Sequence, residues 1–552
     1  MSPLRTPGSA LFLSILLGPL ATTLCLGGEE VAATWRAEGR RGAVAAGGQG
    51  AVDAGMEILR GGGNAIDAAV ATLLALSVTD ARGFCFGGEV PILVYDARRG
   101  VVEVIAGQGA APRLATRERF EAKGAIPGQG LEPAAVPAAL DACLTALDRY
   151  GTWTFEAAAA PALRLLDRNR EDWHADLAQT WRRLIGAEKA AGGDRRRGLR
   201  LVADYFYRGP LAREIALWCE ENGGWIRSSD LATHVTRVEE PVRAEYRGHT
   251  VFKCGPWTQG PWLLEALNLL EGFDLAAPGP KSPETIHLVV EAMKLALADR
   301  DVFYADPLFE EVPLDRLLAK DYAALRRPLI DLQKASLVQR PGDPRGGKPL
   351  LDRAGARTGF GGPARDTTTC LVADAQGNVV AATPSGWSGV RVGRTGIFLG
   401  TRLQSFNVWS GHPNRIEPGK RPRITLTPTL VLKNGKPFLA VSVAGGDGQD
   451  QAALQMVLDA IDFGLPPAES VTSPRYGTDH HLGSFRQTPP RLGSLLIDER
   501  AGEAAIRDLR DRGHDVSAGS RSLWQPCVLR IDPSGLIQAA GDPREGRHAA
   551  AY

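Results

Sequence analysis

Apolar side chains recur at helical spacing over residues 51–59, and the pattern stops at Gly61-Gly62-Gly63. Asn64 then predicts the cap of a second helix. Asp67 lies three residues on in a box-like arrangement, and Ile66, Val70, Leu73 and Leu74 mark the buried face. The period changes at residues 92–95 and 101–105, which read as strands joined by a polar turn through Arg98, Arg99 and Gly100. From residue 137 to about 327 the pattern is mostly helical, most clearly at 159–166 and 286–303. It lapses over 340–365, a stretch rich in Gly, Pro and Arg that reads as an exposed, flexible linker. Beyond it, residues 370–374 and 379–383 read as short strands around Gln376-Gly377-Asn378. Residues 427–432 and 438–443 flank Asn434-Gly435, a strong hairpin signal. A helix over 451–463 follows, with Leu454, Val457, Leu458 and Ile461 on one face. Helices, a seam, then a strand-rich block without internal repeats predict an α+β architecture in which a sheet packs between helical layers.

The amino terminus breaks this pattern. Arg5 precedes an apolar run over 10–26, followed by Gly27, Gly28, Glu29 and Glu30. This reads as a secretory signal peptide over residues 1–28, hence export to a periplasmic or extracellular space. A membrane anchor is the alternative, although it wants about 20 apolar residues. Leu24 directly before Cys25 argues against a lipoprotein.

Composition narrows the classes further. The 552 residues carry 64 Lys plus Arg against 63 Asp plus Glu, a formal net charge of +1. Nothing in that balance points to a nucleic-acid partner. Cys85, Cys143, Cys219, Cys254, Cys370 and Cys527 form no C-x-x-C pair, so buried free thiols or one incidental disulfide are expected.

Several standard sites are absent: the G-x-S-x-G elbow, the H-E-x-x-H zinc helix and the phosphate loop. Gly107-Gln108-Gly109 lacks the third glycine of a dinucleotide fingerprint, and the adjacent pair His480-His481 is a poor joint metal ligand. No cofactor or metal is therefore expected. Two elements remain. Asp366-Thr367-Thr368-Thr369 stands between the seam and a strand. Such a run is an ordinary strand start, but a chain break before Thr367 would create an N-terminal threonine. Its hydroxyl is then the nucleophile and its own amine the base, with an α-amine pKa of about 7.7–8.0 suited to the task. The second is Ala444-Gly445-Gly446-Asp447-Gly448, between a strand and a helix start. It is either a glycine-rich turn or a loop whose free N–H groups form an oxyanion hole.

With these motifs the chain resembles the gamma-glutamyltranspeptidase family of N-terminal-nucleophile hydrolases, from about Gly42 to His481. The likeness is carried by GMEILRGGGNAIDAAVA from Gly55, EAMKLALADRDVFYADP from Glu291, TTTCLVADAQGNVV from Thr367, HPNRIEPGKRP from His412 and VAGGDGQDQAALQMVLDAIDFGL from Val443. The resemblance implies a four-layer αββα sandwich. It implies self-cleavage between Asp366 and Thr367, giving a large part over 29–366 and a small part over 367–552 that stay together as a heterodimer. Thr367 matches the nucleophile, Ser385 and Thr383 supporting hydroxyls, and Gly445 and Gly446 the oxyanion hole. The implied activity is amide hydrolysis or acyl transfer on a small amide or peptide, with water or an amine as acceptor; glutathione-like γ-glutamyl amides are the family's default.

Departures fall in the substrate pocket. Gln108 stands where the family has an arginine for the glutamate α-carboxylate, and Ser405 where it has an aspartate for the amine. Two serines become Ile424 and Thr425, and an asparagine becomes Trp387. Residues 407–422 look short for the family's lid. A charged headgroup needs opposite charges once desolvated, so a non-glutamyl acyl amide is the alternative to the family's default; a non-catalytic binding homologue is a second alternative, against which the intact Thr367, Ser385, Gly445 and Gly446 speak. Arg402, where a polar amide is usual, is either a new anion contact or a surface arginine.

Overall fold

Two seven-stranded antiparallel sheets lie face to face with helices on both outer surfaces. A computed structural model describes residues 34–345 and 366–552; the leader over 1–28 and most of the 340–365 linker lie outside the described residues. One sheet runs in the order His548–Ala551, Gly42–Ala46, Cys370–Asp374, Val379–Ala382, Val90–Asp96, Val101–Gly107 and Arg237–Glu239. The other runs Arg36–Gly39, Ile537–Gly541, Gln525–Ile531, Lys436–Ala444, Thr429–Lys433, His249–Lys253 and Val242–Tyr246.

The period-2 alternation of the strands builds three cores and hence four layers. Leu371, Ala373, Val379 and Ala381 point between the sheets, where they meet Leu430, Leu432 and Ala440 from the facing sheet. Their neighbours Cys370, Val372, Val380 and Ala382 point outward to the helix Ala65–Thr79, on which the helix Phe155–Asp167 packs. On the far side Val431, Leu439, Val441 and Val443 pack under the helices Pro261–Leu270, Pro283–Phe303 and Gly448–Ile461. Each fully buried aliphatic side chain contributes about 1.5–3 kcal/mol. The fold is therefore the αββα sandwich that the resemblance implied.

The cap at Asn64 forms as expected. Its Oδ1 accepts from the N–H groups of Ile66 and Asp67 at 3.0 Å, and Asp67 Oδ2 accepts from Asn64 N at 3.0 Å. The hairpin turns at Asn434 and Gly435, whose φ values of 51° and 75° are those of a two-residue type I′ turn. Among the described residues, Cys85, Cys143, Cys219, Cys254, Cys370 and Cys527 are buried and free. The middle of the chain departs from its mostly helical reading. It supplies the strands Arg237–Glu239, Val242–Tyr246 and His249–Lys253 to the two sheets. Beyond residue 481 lie further strands, among them Gln525–Ile531 and Ile537–Gly541, which pair in register with Lys436–Ala444 and each other. Among the described residues no helix is long and apolar enough to cross a membrane.

This architecture brings two strand ends together. Thr367 precedes Cys370–Asp374 in one sheet, and Gly445 follows Lys436–Ala444 in the other. Across the interface Thr383 Oγ1 and Ser442 Oγ stand 3.0 Å apart.

Candidate active site

Thr367 forms an isolated antiparallel bridge with Ser385, which fixes the bond before it. The carbonyl oxygen of Asp366 accepts from Ser385 Oγ and, at 3.3 Å, from the N–H of Gly386. Thr367 Oγ1 lies 3.4 Å from Ser385 Oγ. Two donors thus meet on one peptide carbonyl, an arrangement that polarises it, and the Thr367 hydroxyl stands beside one of them.

Behind Ser385 stands Arg402, only 1 % exposed, so the surface-arginine alternative is ruled out. Its Nη2 donates to Ser385 Oγ at 2.5 Å and its Nε to Glu89 Oε1 at 2.6 Å. The same Nη2 lies 3.6 Å from Asp366 Oδ2. Burial lifts the Glu89 carboxyl to about 7; Arg402 opposes that lift and the negative Asp366 adds to it. Burial also raises the Asp366 carboxyl above its ordinary value, against Arg402.

The glycine loop occupies the opposite wall. Gly445 and Gly446 have φ values of 139° and 60°, backbone that side-chain-bearing residues avoid. Among the described residues their N–H groups donate to nothing, leaving both free to face a ligand. Asp447 is anchored from below: Arg300 Nη1 donates to its Oδ1 at 2.7 Å, and Ser484 N donates to its Oδ2 at 2.8 Å. Despite burial, Arg300 holds the Asp447 carboxyl far below the usual carboxylate range, with His481 and Arg423 assisting. Arg300 also pairs with Asp301 at 2.7 Å and donates to Gln259 Oε1 at 3.0 Å. This buried network fixes the loop's register rather than touching the reacting atoms.

Thr367 and Gly445 line one cavity of about 770 Å³ with Asp80, Arg82, Arg521, Trp524 and Arg547. A second cavity of about 340 Å³ lies beyond Gly446 and Phe485 and shares Trp524 as a wall. Trp524 itself has φ 62°, an unusual conformation for a bulky residue.

The other expected residues fall into two groups. Ser405 Oγ, Thr425 Oγ1 and Gln108 Oε1 are buried and lack partners among the described residues. Gln108 Nε2 donates to Gly109 O at 2.9 Å. Thr383 Oγ1 contacts Ser442 Oγ. Trp387 stacks on Phe398 with centroids 4.3 Å apart. Gln449 was missed by the sequence reading. Its amide lies 3.5 Å from Thr367 Oγ1. With the amide nitrogen donating to Thr425 O at 3.0 Å and Val443 O at 3.1 Å, the amide oxygen faces the Thr367 hydroxyl.

For a metal, His287, Glu291 and His514 are near enough to share an ion. However, Glu291 already accepts from Lys294 Nζ at 2.7 Å and Arg340 Nη2 at 3.3 Å, so two cations occupy its carboxylate. His480 and His481 do not join that group; His481 faces Arg300.

Comparison with known proteins agrees with this geometry. The gamma-glutamyltranspeptidase family model matches residues 51–183 and 174–552. The acylase ACY 1 proenzyme of Pseudomonas sp. (strain SE83) is 32 % identical over 91 % of this chain and 92 % of that protein. The glutathione hydrolase-like YwrD proenzyme of Bacillus subtilis (strain 168) is 30 % identical over 90 % of this chain and 95 % of its own length. The crystal structure of cephalosporin acylase from Bacillus halodurans superposes with a TM-score of 0.77 at 28 % identity, covering 94 % of this chain and 97 % of that one.

Proposed function

Since this chain belongs to the gamma-glutamyltranspeptidase family, as an amidohydrolase or acyltransferase of that type, we propose that it is made as a precursor, cuts itself before Thr367, and then hydrolyses small amides with Thr367 as nucleophile. The observation that carries the reading is the pair of donors, Ser385 Oγ and Gly386 N–H, on the Asp366 carbonyl, with Thr367 Oγ1 3.4 Å from Ser385 Oγ. In processing, Thr367 Oγ1 attacks that carbonyl carbon and the C–N bond breaks, with the hydroxyl proton passing to the new amine. Water hydrolyses the resulting ester. The two parts remain together because each sheet combines strands from both.

In turnover the freed α-amine of Thr367 takes the hydroxyl proton as Oγ1 attacks the substrate carbonyl. The oxyanion meets the N–H groups of Gly445 and Gly446. The amine leaves with the proton, and water or an acceptor amine resolves the acyl-enzyme. Export by the leader over 1–28 is part of the same proposal.

The acyl group is proposed to be other than γ-glutamyl. Neither Gln108 nor Ser405 carries a charge to pair with an amino-acid headgroup. A panel on the cut protein tests this: γ-glutamyl-p-nitroanilide and glutathione against oxamate-like and acyl amides. Turnover of acyl amides that disappears in Thr367→Ala is expected. Efficient γ-glutamyl turnover would overturn the acyl assignment, and full activity in Thr367→Ala would overturn the nucleophile.

A further inference from the structure

A serine hydroxyl has one proton to give, and Ser385 gives it to the carbonyl oxygen of Asp366. A buried cation holds it in that role. Arg402 Nη2 donates to Ser385 Oγ at 2.5 Å, which fills a lone pair and leaves the O–H pointing forward. A hydroxyl that accepts from a guanidinium is also a stronger donor in its turn. Arg402 is held from behind, where its Nε donates to Glu89 Oε1 at 2.6 Å. Its Nη1 has no acceptor among the described residues, so Glu89 is its only hydrogen-bonded anion among them. Glu89, Arg402 and Ser385 are all buried, none more than 3 % exposed.

The backbone builds the same group together. Glu89 and Ser385 exchange both N–H···O bonds, each at 2.9 Å. The Glu89 carboxylate fits beside them because Gly386 and Gly400 carry no side chain; a Cβ there would stand 3.4 Å and 3.3 Å from Glu89 Oε2. A second anion competes for the arginine. Asp366 Oδ2 lies 3.6 Å from the same Nη2 that holds Ser385, too long for a hydrogen bond. While Glu89 is charged, Nε is pinned and Nη2 stays on Ser385. Once Glu89 is neutral, Asp366 is the anion left beside the guanidinium, and closing that gap draws Nη2 off the hydroxyl.

Resting on the reading of Thr367 as the self-cleaving nucleophile, we infer that Arg402 and Glu89 are positioning residues for that cut: Arg402 holds Ser385 as donor to the Asp366 carbonyl, and ionised Glu89 keeps Arg402 there, which ties the rate of maturation to pH. Both act through Ser385, and neither donates to the reacting carbonyl. The bonds made and broken remain those of Thr367.

The pH window follows from what surrounds Glu89. Burial lifts its carboxyl to about 7; Arg402 opposes that lift and Asp366 adds to it. Cys85 beside it stays protonated, because burial raises its thiol well above the ordinary value. Glu89 therefore passes from mostly neutral to mostly charged between about pH 6 and about pH 8. The Thr367 α-amine does not exist before the cut and adds nothing to this profile.

The test dilutes pulse-labelled precursor from a cell-free synthesis into buffers from about pH 6 to about pH 8 and follows the fragments on a denaturing gel, with a melting curve for each variant. The wild-type rate should rise about tenfold across that range, the worth of a charged hydrogen bond. Glu89→Gln retains Asp366 but not the Glu89 charge, and its rate should stay level, near that of wild type at the acid end. Arg402→Met should cut roughly 10- to 100-fold more slowly than wild type at the alkaline end. A level wild-type profile, a Glu89→Gln profile that still rises, or Arg402→Met cutting within about threefold of wild type overturns the inference while Thr367 chemistry stands. Should Arg402→Met fail to fold, the Glu89→Gln profile decides alone. A wild-type chain that never cuts itself, or a Thr367→Ala chain cut at the same bond, overturns the underlying reading, and this inference with it.

Discussion

Replacing Ser385 by alanine separates self-cleavage from folding. Ser385 is fully buried, and its Oγ is one of two donors on the Asp366 carbonyl. The other, Gly386 N–H, is long at 3.3 Å. Removing the better donor of an oxyanion site costs about 2.7–4 kcal/mol of transition-state stabilisation, or roughly 100- to 1,000-fold in rate. The loss of the Arg402 contact at 2.5 Å adds destabilisation of about 1–3 kcal/mol, which a melting curve reports separately. Ser385→Thr retains a hydroxyl and should process within about tenfold of wild type, a loss smaller than that of an oxyanion donor. The assay is a time course of precursor and fragments on a denaturing gel after synthesis in a cell-free system. If Ser385→Ala folds and cuts at a rate within threefold of wild type, the carbonyl is not activated by this hydroxyl and the processing geometry is wrong.

Arg300→Met leaves Asp447 buried beside Ser484 without its chief cation; a loss of about 3–5 kcal/mol in denaturant unfolding is expected, and a change under 1 kcal/mol would remove Arg300 as the anchor of the glycine loop. Glu89 has a carboxyl raised to about 7 in the fold, so the folded state keeps its proton after the unfolded chain has lost it. Its contribution to stability therefore falls as pH rises from the unfolded value of about 4.5 to about 7, by about 3 kcal/mol. Glu89→Gln should gain on wild type over that window, and parallel pH curves would contradict the buried pairing. For turnover, kcat/KM of the cut enzyme should climb as the Thr367 amine loses its proton near pH 7.7–8.0; a profile level from pH 6 to 9 would argue against the amine as base.

Much of the fold was legible because its signals are local. The box at Asn64 and Asp67, the turn at Asn434-Gly435 and the alternation over 370–374 each follow from neighbouring residues. The strands at 237–253 were read as part of a helical region because their pairing partners, residues 101–107 and 429–433, lie far away in sequence. The same holds for the site. Thr367 and the loop at Gly445 stand out from residue type and position. Glu89 does not: it meets Arg402 across 313 positions, and nothing in the run Gly87-Gly88-Glu89 marks it. Arg402 looked as though it could be a surface residue until the fold enclosed it. Gln449 and Arg300 lie within helices whose apolar periodicity hides their polar contacts.

The most direct measurement is N-terminal sequencing and intact mass of the fragments from wild type and Thr367→Ala. The account predicts a wild-type fragment that begins at Thr367 and ends at Tyr552, and a single uncut chain in the variant. A small wild-type fragment starting at any residue other than Thr367, or cleavage of the Asp366–Thr367 bond in Thr367→Ala, would contradict it.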